Sequence, residues 1–493
     1  MVTLILIIPK WGLLMISKNI NDNKNRIRYL FGNSSDLVFH QFETLSETGA
    51  MVVYINGLVD KSALNDSIIR PLLEDLISPY DIKSTIYISE IKEAKTLKDA
   101  VDSIIDGHVL LFFENFDYAF IMNICRYEKR SIQESSSEQV IRGPKESFIE
   151  DLYVNRTLIR RKIRNQNLIF EDYIFGRQTN TKVSICYIKG IVNDEILAEL
   201  KARLNTIDID GVIDSHYIEE HIEDAPRSLV ATIYDTEKPD VVVGKLLEGR
   251  IGIICDGSPV VLTLPRLFIE DLMTAEDYYL RPQFATYLRV MRVVAFFASM
   301  MLIGTYIAIA TFHQEMIPTK LLLSIATQRE GVPLPAFLEG VLMLIFFEFL
   351  KEAGLRLPKP INTTVALVGG LVIGQASVDA GLVSGFMIIV VAASGITEFV
   401  NLQLRELVVL YRFVFLFLGA LFGLYGISSG SIILIFHLVS IKSFGVPFMY
   451  PLAPYDKEGM KDFMRRSPLK KYNYRPKYIS SKDARKRSAD NEE

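Results

Sequence analysis

The sequence predicts two tandem cytoplasmic α/β subdomains, related by an internal duplication, followed by an α-helical polytopic membrane domain. Three observations lead there. Val293 to Phe312 is a run of twenty residues without a charge, and about 20 apolar residues cross a hydrocarbon core of about 30 Å as a helix, the form in which each backbone amide is bonded within its own segment. Apolar segments then recur as far as Gly445, whereas Lys, Arg, Asp and Glu crowd the part before Val293. That charged part also repeats itself. Mean hydropathy is mildly positive only because it averages over this split. A formal net charge of −4 over 493 residues marks no acidic or basic excess running through the whole.

At the start of the chain, Val2 to Ile8 is apolar, Pro9-Lys10 interrupts, and Trp11 to Ile16 continues. The stretch is too short to span and lacks the basic leading region of a signal peptide. Ile16-Ser17-Lys18-Asn19 after Met15 reads as a natural start, so residues 1–24 are expected to be an extension whose first 14 residues reflect a choice of start codon.

The repeat has two matched blocks. Val53-Tyr54-Ile55-Asn56-Gly57-Leu58-Val59 recurs as Cys186-Tyr187-Ile188-Lys189-Gly190-Ile191-Val192, each a β-rich run ending at Gly. A helical pattern follows, Ser67 to Ile77 in the first copy and Asp194 to Leu204 in the second. Further on, Ile104 to Phe112 parallels Leu246 to Ile254: a helix end closed by Gly107 or Gly249, then a buried strand. Turns at Glu114-Asn115-Phe116 and Asp256-Gly257-Ser258 lead to another strand in each. The spacing gives subdomains over 25–134 and 176–285, with a helical linker over 135–175. Within the linker, Ser135-Ser136-Ser137 is a loop, and Phe148 to Gln166 is an amphipathic helix bearing Arg156, Arg160, Arg161 and Arg164. Such a helix can contact acidic lipid or RNA; a solvated linker helix salt-bridged to neighbouring acids is the plainer reading and is preferred.

No enzyme chemistry emerges. There is no phosphate loop, no metal-spaced His pair and no nucleophile elbow. Gly249-Arg250-Ile251-Gly252 is a fragment of a dinucleotide fingerprint that precedes a strand instead of a helix. Cys125, Cys186 and Cys255 make neither a disulfide framework nor a metal site and read as buried free thiols of a reducing compartment. No catalytic residue, cofactor or metal is assigned, and the chain is expected not to be an enzyme.

The membrane domain is expected over 286–450, with four to six membrane segments. Arg281, Arg289 and Arg292 before the first span put the front end in the cytoplasm. Further apolar segments lie near 334–350, 361–378, 381–397, 407–426 and 430–444. Lys351, Arg356 and Lys359 fall between the second and third, and Arg405 between the fourth and fifth. The tail from Tyr455 holds twelve Lys and Arg against seven Asp and Glu. Six crossings put all of these charges, and both termini, on one side. Four crossings with re-entrant pieces is the alternative, since 334–350 carries two acids and 430–444 is short. Residues 451–493 read as a basic, disordered cytoplasmic tail.

Ionisable residues within apolar segments face protein or water; here they are Glu339, Glu348, Asp379, Glu398 and Arg412. Glu339 and Glu348 are nine positions apart, about 180° around a helix, so they do not line one path. In 361–397, Gly370, Gly374, Ser377, Gly381 and Gly385 make one small-residue packing stripe if the helix is continuous. The opposite face carries Val365, Val368, Val372, Gln375 and Asp379. An apolar ring with polar residues at one end suits a dewetting gate in an oligomeric pore; a lipid-facing stripe has equal standing. Gly419 and Gly423 form a second small-residue pair.

Several motifs together carry a resemblance. They are Arg142-Gly143-Pro144 with Phe148, Glu150, Asn155 and Leu158-Ile159-Arg160-Arg161; Glu248-Gly249-Arg250 with Asp256-Gly257-Ser258-Pro259; Phe268 to Tyr279 leading to Arg289; Pro333-Leu334-Pro335 with Glu339; and Ile373-Gly374-Gln375-Ala376. From about Asn25 to Pro454 the chain resembles the A subunits of the GerA family of spore germination receptors. The resemblance implies a multi-pass protein of the spore inner membrane, acting with a transporter-like B subunit and a lipoprotein C subunit. It implies self-association into a ring that opens as a germinant-gated channel for monovalent cations, and no nucleic-acid partner. Two rival readings remain: a secondary transporter with Asp379 or Glu348 in a coupling site, and a non-conducting scaffold subunit.

Overall fold

Continuous apolar strands and glycine-closed turns build the same five-stranded sheet twice. The protein is described by a computed structural model covering residues 15–78, 80–125, 138, 140–358, 370, 372, 374–472 and 474–480. The first sheet contains β1 (Leu37–Glu43), β2 (Gly49–Ile55), β3 (Ile91–Ala94), β4 (Val109–Phe113) and β5 (Ala119–Met122). The second contains β6 (Leu168–Phe175), β7 (Thr181–Ile188), β8 (Tyr234–Thr236), β9 (Ile251–Cys255) and β10 (Val261–Leu264). Strand orders are β1-β2-β4-β5-β3 and β6-β7-β9-β10-β8, one topology in two copies, with every neighbouring pair antiparallel. Val53-Tyr54-Ile55 lies on β2 and Cys186-Tyr187-Ile188 on β7. The helix-closing Gly107 and Gly249 adopt φ of 88° and 103°, a left-handed conformation that a Cβ would disfavour.

Both faces of each sheet are covered, which is why their central strands read as unbroken hydrophobic runs. In the first unit, Met51, Val53 and Ile55 of β2 pack against Leu97, Val101 and Ile104 of the Leu97–Ile105 helix. Val52 and Tyr54 point the other way, to Leu64, Ile68 and Leu72 of the helical run from Lys61 to Glu74. In the second unit, Val183 and Ile185 of β7 face Ile196, Leu200 and Leu204 of the Asp194–Leu204 helix. Cys186 and Ile188 face Leu152 and Ile159 of the Leu152–Lys162 helix and Leu246 of the Pro239–Glu248 helix. Burial pushes the Cys186 and Cys255 thiols up to about 12, so both are held as neutral free thiols.

Two boundaries differ from those read in the sequence, and so does the setting of the linker helix. Ile16, Ile20, Ile27 and Phe31 belong to the first unit's core, so that unit begins before residue 25; residues 1–14 lie outside the described residues. The second sheet starts at Leu168, inside the stretch assigned to the linker. The linker helix itself is built into the protein, not solvated. Arg160 is 1% exposed and binds Asp36 of the first unit through Nε at 2.9 Å and Nη2 at 2.7 Å, while Arg156 pairs with Asp172.

The tail is also a correction. Residues 441–480 fold back as a strap: Phe444, Val446, Tyr450, Phe463 and Ile479 enter the second unit's core, and Ser480 bridges Val192. Asp462, on the strap, accepts from Tyr278 at 2.6 Å, Tyr472 at 2.9 Å and Arg289 at 2.8 Å. Arg289, which with Arg292 also pairs with the buried Asp277, stands at the base of the first membrane-half helix. Apolar residues scattered one by one among charges bury there through contacts distant in sequence.

Among the described residues of the membrane half, two helices are long and apolar enough to cross a bilayer: Pro282–Phe312 and Leu402–Ser440, with mean hydropathy of 2.2 and 2.3. The second is bent. Gly423 has φ of 60° and ψ of −146°, and Gly426 and Gly430 beyond it come back against Leu418 and Phe415. The result is a hairpin with arms Arg405–Phe422 and Leu424–Ser440. The two open ends lie against the α/β units: Arg266 reaches the Gln403 carbonyl at 3.4 Å, and Ser228 meets His437 at 3.1 Å. Gly423 serves as the bend and also approaches Phe312 and His313, so that it and Gly419 both pack on the first long helix. Gly419 packs on Gly304, where an added Cβ would lie 2.3 Å from the Gly304 carbonyl oxygen.

Candidate functional site: a buried charge network and an uncovered helix

Contacts fix the direction of each helix relative to the α/β units. Along Pro282–Phe312, Arg292, Ser299 and Gly304 meet Asn401, Arg412 and Gly419, and Phe312 meets Gly423 at the far end. That helix and the first hairpin arm therefore run in the same direction, away from the α/β units. The Ala336–Arg356 helix runs back, with Gly340 against Ile303 and Ile307 and Glu348 level with Arg412. The Gly385–Glu398 helix also runs back, since Ser384 meets Glu339 and Ser394 meets Ser299. Residues 357–384 thus connect the proximal end of one returning helix to the distal end of the next.

Four charges meet near the proximal end of this bundle. Arg412 donates from Nη2 to Glu398 Oε2 at 2.6 Å, from Nη1 to Glu348 Oε1 at 3.3 Å and from Nε to the Ser299 carbonyl at 2.9 Å. Lys351 Nζ lies 2.8 Å from both Glu398 Oε1 and Glu348 Oε2. Arg412 and Glu398 are each 1% exposed. These two acids and two bases balance one another, the condition under which buried charges are tolerated; a fifth charge, Arg405, lies 3.8 Å from Glu398 Oε1 with its side chain 40% exposed and so faces solvent. Sequence reading singled out Glu348, Glu398 and Arg412 separately, and the fold brings them together. It missed Lys351, counted as a charge between segments; its position three residues after Glu348 is the signal that places it on the same helix face.

Glu339 sits apart, at the distal end. It is 0% exposed and accepts through Oε2 from Ser384 N at 2.9 Å and Ser384 Oγ at 2.8 Å. Ser384 is the N-cap of the Gly385–Glu398 helix, so a carboxylate lies at the positive end of that helix dipole.

In the sequence, the candidate gate falls between Lys351 and Ser384. Val365 and Val368 fall outside the described residues; 370, 372 and 374–379 are helical. Val372 is 54% exposed, Gln375 and Asp379 are exposed and hydrogen-bonded to each other at 3.1 Å, and a Cβ added at Gly370 or Gly374 would meet nothing within 4 Å. The helix stops at Gly381, with φ of 66°, so the small-residue stripe is not one continuous surface. Gly381 and Gly385 approach the Gly331 carbonyl and Gln328 instead, and only Ser377 of the remainder is buried. Among the described residues, no cluster of His, Cys, Asp and Glu could hold a metal ion.

Comparison with known proteins gives these features a context. The family described as "Bacillus/Clostridium GerA spore germination protein" matches residues 25–478. The chain is similar to "Spore germination protein KA" of Bacillus subtilis, 41% identical over 478 residues, covering 95% of this chain and 87% of that one. It is similar to "Spore germination protein GerLA" of Bacillus cereus, 35% identical over 482 residues, covering 96% and 98% respectively. A crystal structure of the N-terminal domain of the A subunit of the Bacillus megaterium spore germinant receptor GerK3 aligns at 31% identity with a TM-score of 0.40, covering 52% of this chain and 98% of that one.

Proposed function

The chain belongs to the GerA family of spore germination proteins, and from that premise we propose that it is the A subunit of a germinant receptor that assembles into an oligomeric, germinant-gated channel for monovalent cations. The observation that carries this reading is the exposed face of the helical residues 370, 372 and 374–379. It bears Gln375 and Asp379, and Val372 stands 54% exposed. Polar groups on a bare face within a membrane half need cover from protein or contact with water. A second copy presenting the same face around a shared axis supplies both: neighbours on the flanks and a water path lined by Val372 and Gln375. Val365 and Val368 extend that lining in the sequence.

The directions of the described helices require the chain to pass from the proximal to the distal end between Arg356 and Ser384, which supports six crossings, the two hairpin arms being the fifth and sixth. An even count agrees with the strap, which returns residues 441–480 to the second α/β unit. Both termini then lie on the cytoplasmic side of the spore inner membrane. A transporter-like B subunit and a lipoprotein C subunit complete the receptor. A channel mostly closed at rest needs about 5.5 kcal/mol of differential binding to pass from 1:99 to 99:1 open, which germinant bound to the complex supplies.

The test is potassium release from spores carrying Val372→Ala, Val372→Asp or Gln375→Ala, with receptor levels measured in parallel. Spontaneous or altered release at normal levels is expected. Unchanged release from normally assembled receptors would remove this segment as the gate.

A further inference from the structure

We propose that Glu339 is a positioning residue for gating: its carboxylate holds Ser384 and so fixes the distal foot of the 370–379 segment in the closed state. The inference rests on reading that segment as the gate. Both feet of the connecting stretch 357–384 are pinned between the same two helices, but unequally. The proximal foot joins Lys351 to Glu398 inside a network that also engages Glu348, Arg412 and Ser299. At the distal foot, where Val383 is buried among Ala336, Met343 and Met387, the polar hold on Ser384 comes from one carboxylate. Glu339 Oε2 accepts both Ser384 donors, while Oε1 has no hydrogen-bond partner among the described residues and lies 3.5 Å from Arg329 Nε.

The stretch joining this clamp to the helical segment is short and bends easily. The helical turn closes with Gly381 N bonded to the Val378 carbonyl at 2.9 Å and Leu382 N to the Ser377 carbonyl at 2.9 Å. Gly381, at φ of 66°, then turns the chain towards Ser384. A left-handed glycine three residues from a single anchoring serine makes a hinge whose angle is set where the serine is held. Releasing Ser384 from Glu339 removes the polar hold next to the hinge, leaves the packing of Val383 in place, and does not touch the proximal network.

The decisive experiment needs no germinant. Nutrient-free potassium release is measured from spores that lack other germinant receptors and express this chain with its partner subunits. Ser384→Gly removes the hydroxyl donor to Glu339 yet leaves a residue that caps a helix almost as well. Release is expected to rise about tenfold at unchanged receptor level, equivalent to about 1.4 kcal/mol and at the low end for a hydrogen bond to a charged group. Ser384→Thr, which keeps the hydroxyl, is expected to restore parental release. An unchanged rate in Ser384→Gly, or an equal rise in Ser384→Thr, overturns the proposal. Should Ser384→Gly fail to accumulate, Glu339→Gln decides: its amide oxygen still accepts from Ser384 without the charge, so a rise supports the clamp and no change overturns it. Val372→Asp run alongside separates the two ideas. Altered release there, with none in Ser384→Gly or Glu339→Gln, removes the clamp and leaves the gate standing.

Discussion

Arg412→Met removes one of the four enclosed charges, which balance one another as they stand. In its absence Lys351 is the single enclosed base, within 3 Å of both Glu348 and Glu398, and the enclosed set carries one excess negative charge that the solvent-facing Arg405, 3.8 Å from Glu398, offsets only in part. Leaving a buried charge uncompensated costs about 3–5 kcal/mol, and the lost bond to the Ser299 carbonyl falls within that figure. Arg412→Met combined with Glu398→Gln restores neutrality and leaves Lys351 with Glu348 at 2.8 Å. The pair should then lose only hydrogen bonds, about 1–2 kcal/mol. Because the double is expected to melt above Glu398→Gln alone, summing the single effects overestimates the double by at least the cost of Arg412→Met, about 3 kcal/mol, at the upper end for directly interacting residues. The assay is the thermal midpoint of the purified full chain in detergent, for the parent, Arg412→Met, Glu398→Gln and the double variant, with membrane levels by immunoblot. The double variant is expected to melt above either single one. A double variant that melts below both, by the sum of their effects, would refute a coupled network.

Gly419→Ala should destabilise by about 1–3 kcal/mol by overpacking, because the new methyl would meet the Gly304 carbonyl. Gly244→Ala, on an open helix face, should stabilise by about 0.5–1 kcal/mol; thermal midpoints check both. Ile479→Ala should cost about 2–5 kcal/mol, since Ile479 is 0% exposed, whereas a disordered tail would give no change. Burial pushes the Glu138 carboxyl, which accepts from Thr236 Oγ1 at 3.0 Å, up to about 7. The raised folded value means that the folded chain holds more protons than the unfolded one from about pH 4.5 to 7, so stability is lost as pH rises through that window. Thermal midpoints from pH 5 to 8 should fall less steeply in Glu138→Gln than in the parent; parallel curves would contradict this.

Local signals carried the α/β half. The strings at Val53 and Cys186 mark equivalent strands, and Gly107 and Gly249 mark equivalent helix ends, because a left-handed turn selects glycine whatever surrounds it. The Asp194–Leu204 helix was legible to the residue. Contacts between distant parts were not legible. Arg160 reads as a solvent charge until Asp36, far off in sequence, is placed beside it, and Phe463 and Ile479 have no periodicity to announce a buried strap. In the membrane half, a charge inside an apolar run was enough to single out Glu339, Glu348, Glu398 and Arg412, since lipid leaves such groups few alternatives. Spacings of three and four did not reveal the helix break at Gly381. Its sign was Gly381 followed by a serine cap, and the Glu339 contact that secures it is tertiary.

The most direct test of the central claim is disulfide trapping between copies of this chain, with cysteine placed singly at Val372, Gln375 or Asp379 and, as a control, at Phe436 on the exposed flank of the hairpin. If 370–379 faces its own counterpart around a shared axis, mild oxidation of spore inner membranes yields covalent dimers from the first set and none from Phe436→Cys, and the cross-link blocks potassium release until it is reduced. Monomers throughout, with normal release after oxidation, would contradict an oligomeric pore lined by this segment.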